Sequence, residues 1–207
     1  MPRRSLLPHP ARLARLFPGL VLFGVSVALM VRADLGLASW DVFHQGLSRR
    51  TGMPIGVATI VVSVAVLLLW IPLRQRPGLG TLCNALLVGL SMDATLAVLP
   101  ETDHLVVRST LLVAGVVLNG VATGLYIGAG LGPGPRDGLM TGLAARGLSI
   151  RLARTLIELS VLALGFLLGG TVGVGTVLYA LAIGPLAHYF IPRLTYRPPA
   201  VAKPRPA

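Results

Sequence analysis

The chain has 207 residues, of which 54% are hydrophobic and only 12% charged, and its mean hydropathy is +0.80. This composition excludes a water-soluble globular protein, because most of the surface would be unsuited to water. The net charge of +11 is spread over short arginine clusters between apolar runs, which is typical of membrane topology signals and not of a nucleic-acid surface. The single cysteine, Cys83, excludes an intramolecular disulfide.

Six apolar runs are each about long enough for a helix to cross the hydrocarbon core of a bilayer, which takes about 20 residues. Their polarity does not alternate with a period of two, so helices are predicted and barrel strands are not. The predicted spans are residues 16–33, 55–73, 79–99, 109–129, 153–170 and 175–191.

The sequence contains two copies of one unit. Residues 33–41 match residues 129–137 at an offset of 96, and after a one-residue gap at Thr51 the match continues at an offset of 95. Glycines and an aspartate that recur in one register with one gap indicate a duplicated structural unit. The predicted units are residues 16–100 and 108–193. The loop glycines that the register brings out are Gly36, Gly80, Gly132, Gly134 and Gly175.

Fourteen of the 18 lysines and arginines fall on one side of the predicted membrane if the N-terminus is cytoplasmic. Both termini are therefore predicted in the cytoplasm. Three spans per unit is an odd number, so the second unit enters the membrane from the opposite side. The predicted fold is an all-α polytopic membrane protein with six transmembrane helices, arranged as two inverted three-helix repeats. Inverted repeats are a recurring plan of secondary transporters.

Basic segments flank the two units. Residues 1–15 are predicted to be a cytoplasmic N-terminal segment, and residues 196–207 a disordered tail that touches anionic lipid. Within each unit, residues 41–50 and 137–146 are predicted as short amphipathic helices, which lie on the membrane surface or enter it as re-entrant pieces. The glycine-rich loop 128–138 before the second of them either binds an anion or forms a tight chain reversal.

Seven polar residues are candidates for substrate binding or gating. Asp41 and Asp137 start the two short helices, where a carboxylate caps free N–H groups. The functional alternative is that Asp137, next to Arg136 and near Arg151 and Arg154, forms a gate ion pair on the inner side. Glu158 lies inside an apolar span, where a carboxylate needs a partner or a proton. Arg154, four residues earlier, offers a structural partner, and a proton-coupling or substrate-binding role is the alternative.

Asp93 and His188 occupy equivalent positions of the two units and complete the candidate set. Because the units are inverted, Asp93 lies toward the outer end of its span and His188 toward the inner end of its own. They serve either as a proton relay or gate, or only as polar residues near helix ends. Gly120 and Gly124 are predicted to let helices approach closely, within one chain or between the copies of a homo-oligomer. No metal-ligand spacing and no hydrolase motif is present, so we expect no metal, no cofactor and no enzyme activity.

The chain resembles the YczE/YyaS/YitT family of bacterial multi-pass membrane proteins. The resemblance rests on residues 35–41, 78–81, 134–140, 169–176 and 182–185 and on the Arg154-x-x-x-Glu158 step, and it covers nearly all of the chain outside the two tails. It implies a location in the bacterial cytoplasmic membrane and no catalytic residues.

Two functions remain open from the sequence. The first is a transporter or permease for a small molecule or ion, with the lipid bilayer as its surroundings and no nucleic acid as partner. The second is a non-transporting membrane protein that regulates or assembles a partner complex through its glycine faces.

Overall fold

A computed structural model describes residues 9–196, and these residues form eight α-helices and no strand. Most of the predicted basic segment 1–15 and nearly all of the predicted tail 196–207 lie outside the described residues. The helices are α1 (Pro10–Ala33), α2 (Ser39–Thr51), α3 (Ile55–Leu73), α4 (Leu79–Val98), α5 (Leu105–Gly128), α6 (Pro135–Ala144), α7 (Ile150–Leu167) and α8 (Val174–Leu194).

Five of these helices, α1, α3, α4, α5 and α8, are long and apolar enough to cross a membrane. They correspond to five of the six predicted spans. The remaining predicted span falls on α7, which has 18 residues and contains three charged ones, Arg151, Arg154 and Glu158. The six-span count therefore stays a prediction. The two predicted short helices are present as α2 and α6.

The centre of the molecule is an antiparallel pair, α1 and α5, with α4 packed on α1 and α8 packed on α5. Glycines make these approaches possible, because a side chain would fill the space that the neighbouring helix occupies. Gly24 of α1 faces the carbonyl of Val88 in α4, and Gly120 and Gly124 of α5 face Leu186 and Phe190 in α8. The predicted packing glycines of α5 thus meet a helix of the same chain.

The end of the bundle where α1 begins is called the near end, and the end where α1 stops is called the far end. The short helix α2 follows α1 at the far end, and packs against α7 and α3. The short helix α6 follows α5 at the near end, and packs against α3 and α7. Gly138 lets α6 lie directly on the indole of Trp70, and Gly165 lets α7 lie on the backbone of Phe43.

The loop of each half bonds to the start of a helix in the other half. The amide of Gly80 donates to the Leu131 carbonyl at 2.8 Å, and the amide of Gly175 donates to the Leu35 carbonyl at 2.7 Å. These are equivalent positions of the two units. The next residue of each loop is a glycine with positive φ, +111° at Gly36 and +124° at Gly132, a conformation that favours glycine.

An arginine of each half also caps the central helix of the other. Arg12 donates through Nε to the carbonyl of Ala129 at 2.7 Å, beyond the end of α5. Arg108 donates through Nε to the carbonyl of Ala33 at 2.7 Å, at the end of α1. A guanidinium satisfies carbonyls that have no partner within the helix, and it complements the negative end of the helix dipole.

The two halves differ at their outer helices. At the far end α3 and α4 are clamped together, since the Asp93 carboxylate accepts from the amides of Gly56 at 2.7 Å and Val57 at 3.2 Å. A methyl group on Gly89 would lie only 2.4 Å from the Gly56 carbonyl oxygen. The corresponding helices α7 and α8 do not pack against each other, and Gly184, which is equivalent to Gly89, has no atom within 4 Å of a methyl group added to it.

We expect Gly24→Ala to destabilise the protein by about 1 to 3 kcal/mol, the usual result of overpacking. The added methyl group would lie 2.0 Å from Ser91 Oγ and 2.5 Å from the Val88 carbonyl oxygen, which belongs to backbone that cannot turn away. The measurement is thermal unfolding of the purified protein in detergent, followed by intrinsic fluorescence.

Gly184→Ala is the matched control for this substitution. It adds the same methyl group to the interior of a helix where nothing lies within 4 Å, so the unfolding temperature should stay unchanged or rise slightly. Equal losses for the two variants would contradict the packing described for α1 and α4.

Candidate functional site

The first turns of α2 and α6 meet beside a cavity of about 40 Å³ in the middle of the molecule. α2 contributes Trp40, Asp41 and His44, and α6 contributes Arg136. The remaining wall comes from α1, α3 and α4, whose polar contributions are Thr59, Ser63 and Asn84. The cavity is therefore built by both halves of the chain.

The local sequence explains why these side chains reach the same place. α2 begins at Ser39 and α6 begins at Pro135, whose fixed φ suits the first position of a helix. Neither start is capped by a side-chain hydrogen bond. Trp40 and Arg136 are the second residues of the two helices and stand at equivalent positions of the two units, 96 residues apart. The repeat thus presents an indole from one half and a guanidinium from the other.

Arg136 has no hydrogen bond or ion pair to any described residue. Its guanidinium carbon lies 5.6 Å from the centre of the Phe23 ring, in the range of a cation–π contact. Asp41 and Asp137 are close enough to act on its charge electrostatically. The guanidinium therefore faces the cavity with its N–H donors unpaired by protein.

Trp40 and His44, which line the same cavity, each contain a buried nitrogen without a hydrogen-bond partner. Their side chains are 5% and 6% exposed, and neither Trp40 Nε1 nor His44 Nδ1 has a hydrogen-bond partner. His44 Nδ1 lies 3.5 Å from Asp41 Oδ1, an ion-pair distance without hydrogen-bond geometry. By contrast, the other tryptophan, Trp70, donates from Nε1 to the Pro135 carbonyl at 2.9 Å. Buried polar groups are nearly always satisfied, so the unpaired nitrogens indicate a functional site.

Two tyrosines tie the short helix α6 and the central helices to this site. The Tyr126 hydroxyl donates to Asp137 Oδ2 at 3.2 Å. The Tyr179 hydroxyl donates to Asn119 Oδ1 at 2.9 Å, and Asn119 Nδ2 donates to Ser26 Oγ at 2.8 Å. This network joins α1, α5 and α8, and a buried polar network of this kind holds its members in one geometry.

The predicted site residues fall into three groups. Asp41, Arg136 and Asp137 lie in the first turns of α2 and α6, Asp41 and Arg136 line the cavity, and neither carboxylate makes the predicted capping bond. Asp137 bonds to Tyr126, so the predicted gate pair with Arg136 is not formed.

The second group is the charged pair of α7. Arg154 and Glu158 form no ion pair with each other, although both act electrostatically on the Tyr179 hydroxyl. The third group lies away from the cavity. Asp93 holds α3 against α4, and His188 is exposed on α8.

Sequence reasoning missed Trp40, His44, Tyr126 and Tyr179 as site residues. Their equivalents in the other unit are Arg136, Met140, Met30 and Asn84. Because each missed residue is paired with a different residue type, the comparison of the two units did not single out any of the four. Within residues 9–196, no group of three histidine, cysteine, aspartate or glutamate side chains is close enough together to hold a metal ion.

The model of a family of unknown function, DUF6198, matches residues 10–192 of the chain. An uncharacterized protein of Haemophilus influenzae is 42% identical over 173 residues, which cover 83% of this chain and 79% of that protein. The uncharacterized membrane protein YczE of Bacillus subtilis is 33% identical over 181 residues, 86% of this chain and 84% of YczE. The uncharacterized protein YyaS of the same organism is 30% identical, over 84% of this chain and 89% of YyaS.

No solved structure matches the chain. The matches to YczE and YyaS confirm the resemblance that the motifs predicted, and the apolar helices agree with the description of YczE as a membrane protein. The chain therefore belongs to DUF6198, a family of unknown function, and is a helical membrane protein related to YczE.

Proposed function

We propose that this protein is a secondary transporter for a small solute in the bacterial cytoplasmic membrane, built from two inverted three-helix repeats with both termini in the cytoplasm. The observation that carries this proposal is the difference between the outer helices of the two halves. The pair α3 and α4 is clamped at the far end by Asp93, whereas the equivalent pair α7 and α8 is apart. A symmetric plan in an asymmetric conformation is what alternating access requires.

Equivalent contacts between the halves support the inverted repeat. The repeat relates two hydrogen bonds to each other, the one from Gly80 to Leu131 and the one from Gly175 to Leu35. It also relates the helix caps that Arg12 and Arg108 make. Each pair has one member at the near end and one at the far end. A twofold axis lying in the membrane plane relates contacts in this way.

The course of α7 supports its role as the sixth span. Its last turn lies on α2 at the far end, through Gly165, and its first residue, Ile150, follows α6 at the near end. The helix therefore runs between the two ends like the five apolar ones. Its arginines, Arg151 and Arg154, lie in its first turns, where they reach the near side, which the arginine distribution assigns to the cytoplasm.

The exchanged conformation follows from the register of the two units. Gly56, Gly89 and Asp93 correspond to Arg151, Gly184 and His188. In that conformation α8 closes on α7 at the near end across Gly184, while α3 leaves α4 at the far end. The cavity between Trp40 and Arg136 lies between the two closures, so it would open to one side and then the other.

The packing of α5 disfavours the alternative, a partner-binding protein without transport. That reading uses the glycine face of Gly120 and Gly124 for contact with another protein. Both glycines are covered by α8 within the chain, at Leu186 and Phe190. A homo-oligomer through other surfaces stays a prediction.

We expect Asp93→Ala to shift the protein toward the exchanged conformation. The carboxylate caps the first turn of α3, and a lost cap of this kind is worth about 1 to 2 kcal/mol. That energy changes the ratio of two conformations by roughly five- to thirtyfold. The measurement is the distance between spin labels on Ile150→Cys and Tyr189→Cys, at the near ends of α7 and α8, in a Cys83→Ala background.

The shorter distance between these labels should gain population in Asp93→Ala. Asp103→Ala is the matched control, because Asp103 is exposed at the far end and its side chain forms no ion pair with a described residue. A single distance that is the same in both variants would contradict alternating access.

We expect Gly184→Leu to abolish transport while the protein still folds. A leucine has room in the present conformation but blocks the closure of α8 on α7. The measurement is solute-driven fluorescence change of a pH-sensitive dye inside proteoliposomes, screened with pooled small metabolites and ions.

In this assay Gly184→Ala should lose part of the flux and Gly184→Leu all of it, because a methyl group at the equivalent Gly89 would already lie only 2.4 Å from the Gly56 carbonyl oxygen. Normal flux in Gly184→Leu, with the variant correctly inserted, would count against closure at this glycine.

A further inference from the structure

We propose that the cavity between Trp40 and Arg136 binds a small monovalent anion of the short-carboxylate class, and that the adjacent Asp41–His44 pair takes up one proton as the anion binds. The inference rests on the proposed function only in treating this cavity as the substrate site. It makes the transporter a proton–anion symporter.

The unpaired groups at the cavity are suited to an anion. Arg136 offers N–H donors in a planar fork that matches a carboxylate, and it accepts no hydrogen bond. Trp40 lines the same cavity, and its Nε1, which is a donor only, is buried without a partner. An anion that accepts from the guanidinium takes up donors that the protein leaves without hydrogen bonds, with the unpaired indole N–H in the same wall.

The size of the cavity limits the ligand to a few non-hydrogen atoms. A water molecule needs about 10 to 15 Å³ of such volume, so 40 Å³ holds roughly three water-sized groups. Formate and acetate fit this limit, whereas an aromatic carboxylate exceeds it. The apolar side of the wall, Phe23, Val62 and Val88, leaves few other polar groups for a larger ligand to use.

Charge balance explains the proton. Asp41 and Asp137 are two negative charges beside the one positive charge of Arg136, and each lies in the first turn of a helix that supplies about half a positive charge. The cluster is thus close to neutral when His44 is neutral. An added anion leaves one uncompensated negative charge in a poorly solvated site, and one bound proton removes it.

The same balance disfavours a cation as ligand. A cation would need the loss of a positive charge to keep the cluster neutral, and arginine does not release its proton in proteins. Asp41 and His44 can both accept one, and histidine is the side chain that ordinarily changes charge between pH 5 and 8. Proton uptake can therefore balance the charge of a bound anion, whereas no group in the cluster can release a positive charge to balance a bound cation.

Arg136 and Tyr179 act electrostatically on Asp41, and the charged and titratable groups coupled to these two come from four helices besides α2. α6 provides Arg136 and Asp137, α5 provides Tyr126, α8 provides Tyr179, and α7 provides Arg154 and Glu158. α3 and α4 present only the neutral side chains Thr59, Ser63 and Asn84. Asp41 is the acid nearest to His44, at 3.5 Å, which makes this pair the site of proton uptake.

The test is titration calorimetry of the full-length protein in detergent with sodium formate, at pH 5.5 and pH 7.5, in two buffers of different ionisation enthalpy. The buffers reveal the number of protons bound. We expect one formate per chain, about one proton taken up with it, and an affinity at least tenfold weaker at pH 7.5. Binding without proton uptake, or binding of methylammonium in place of formate, would overturn the inference, and so would equal binding of benzoate.

Variants separate the roles of the residues. Arg136→Gln should weaken formate binding more than tenfold, and Arg136→Lys, which keeps the charge but loses the fork, should lie between it and the parent. Arg50→Gln is the matched control, because Arg50 is exposed on α2 and its side chain forms no ion pair with a described residue. Asp41→Asn should bind formate at both pH values with no proton uptake, since its charge is already removed. Uptake of one proton by Asp41→Asn on formate binding would refute the charge-balance argument.

Thermal unfolding of each variant shows that it is folded. The two proposals can fail separately. If the protein binds formate but formate drives no proton entry into liposomes, the transport proposal is wrong and the anion site stands. Flux of another solute, by a protein that binds no formate, removes the anion site and keeps transport.

Discussion

Non-helical backbone at membrane depth needs protein partners, because lipid offers no hydrogen bonds. The two glycine-containing loops of this chain satisfy that constraint only by reaching across the molecule: the carbonyls of Leu35 and Leu131 each accept from an amide of the opposite half. Arg12 and Arg108 supply donors to the carbonyls just before these loops. The packing of α1 on α5, the positions of α2 and α6, and the cavity between them all depend on this mutual completion.

The polar interior depends on it as well. Because the loops end where α2 and α6 begin, fixing the loops also fixes the first turns that carry Asp41, Arg136 and Asp137. Rigid central helices then surround these turns, with Tyr126 bonded to one of them. The outer helices are held differently. Asp93 clamps α3 to α4, and both of these helices line the cavity, whereas α7 and α8 do not pack against each other.

Much of this arrangement could be predicted from the sequence. Apolar length located five spans, and the repeat register located the starts of α2 and α6, hence Asp41, Arg136 and Asp137. The register had no signal for His44 or Tyr179, because their equivalents are methionine and asparagine, and their importance arises from distances between helices. Glu158 was predicted with Arg154 from helical spacing alone, yet four-residue spacing permits a pair without requiring it. The gap between α7 and α8 arises from how whole helices pack, which the hydrophobic pattern does not encode.

The crossed loop bonds also bear on how the protein is made. When α1 to α4 have entered the membrane and α5 has not, the Leu35 carbonyl and the amide of Gly80 have no partner, since both partners belong to the second half. The first half is therefore an incomplete intermediate that lasts as long as translation of the remaining helices. Slow elongation after α4 would lengthen the life of that intermediate, and insertion factors that shield polar backbone would act on it most.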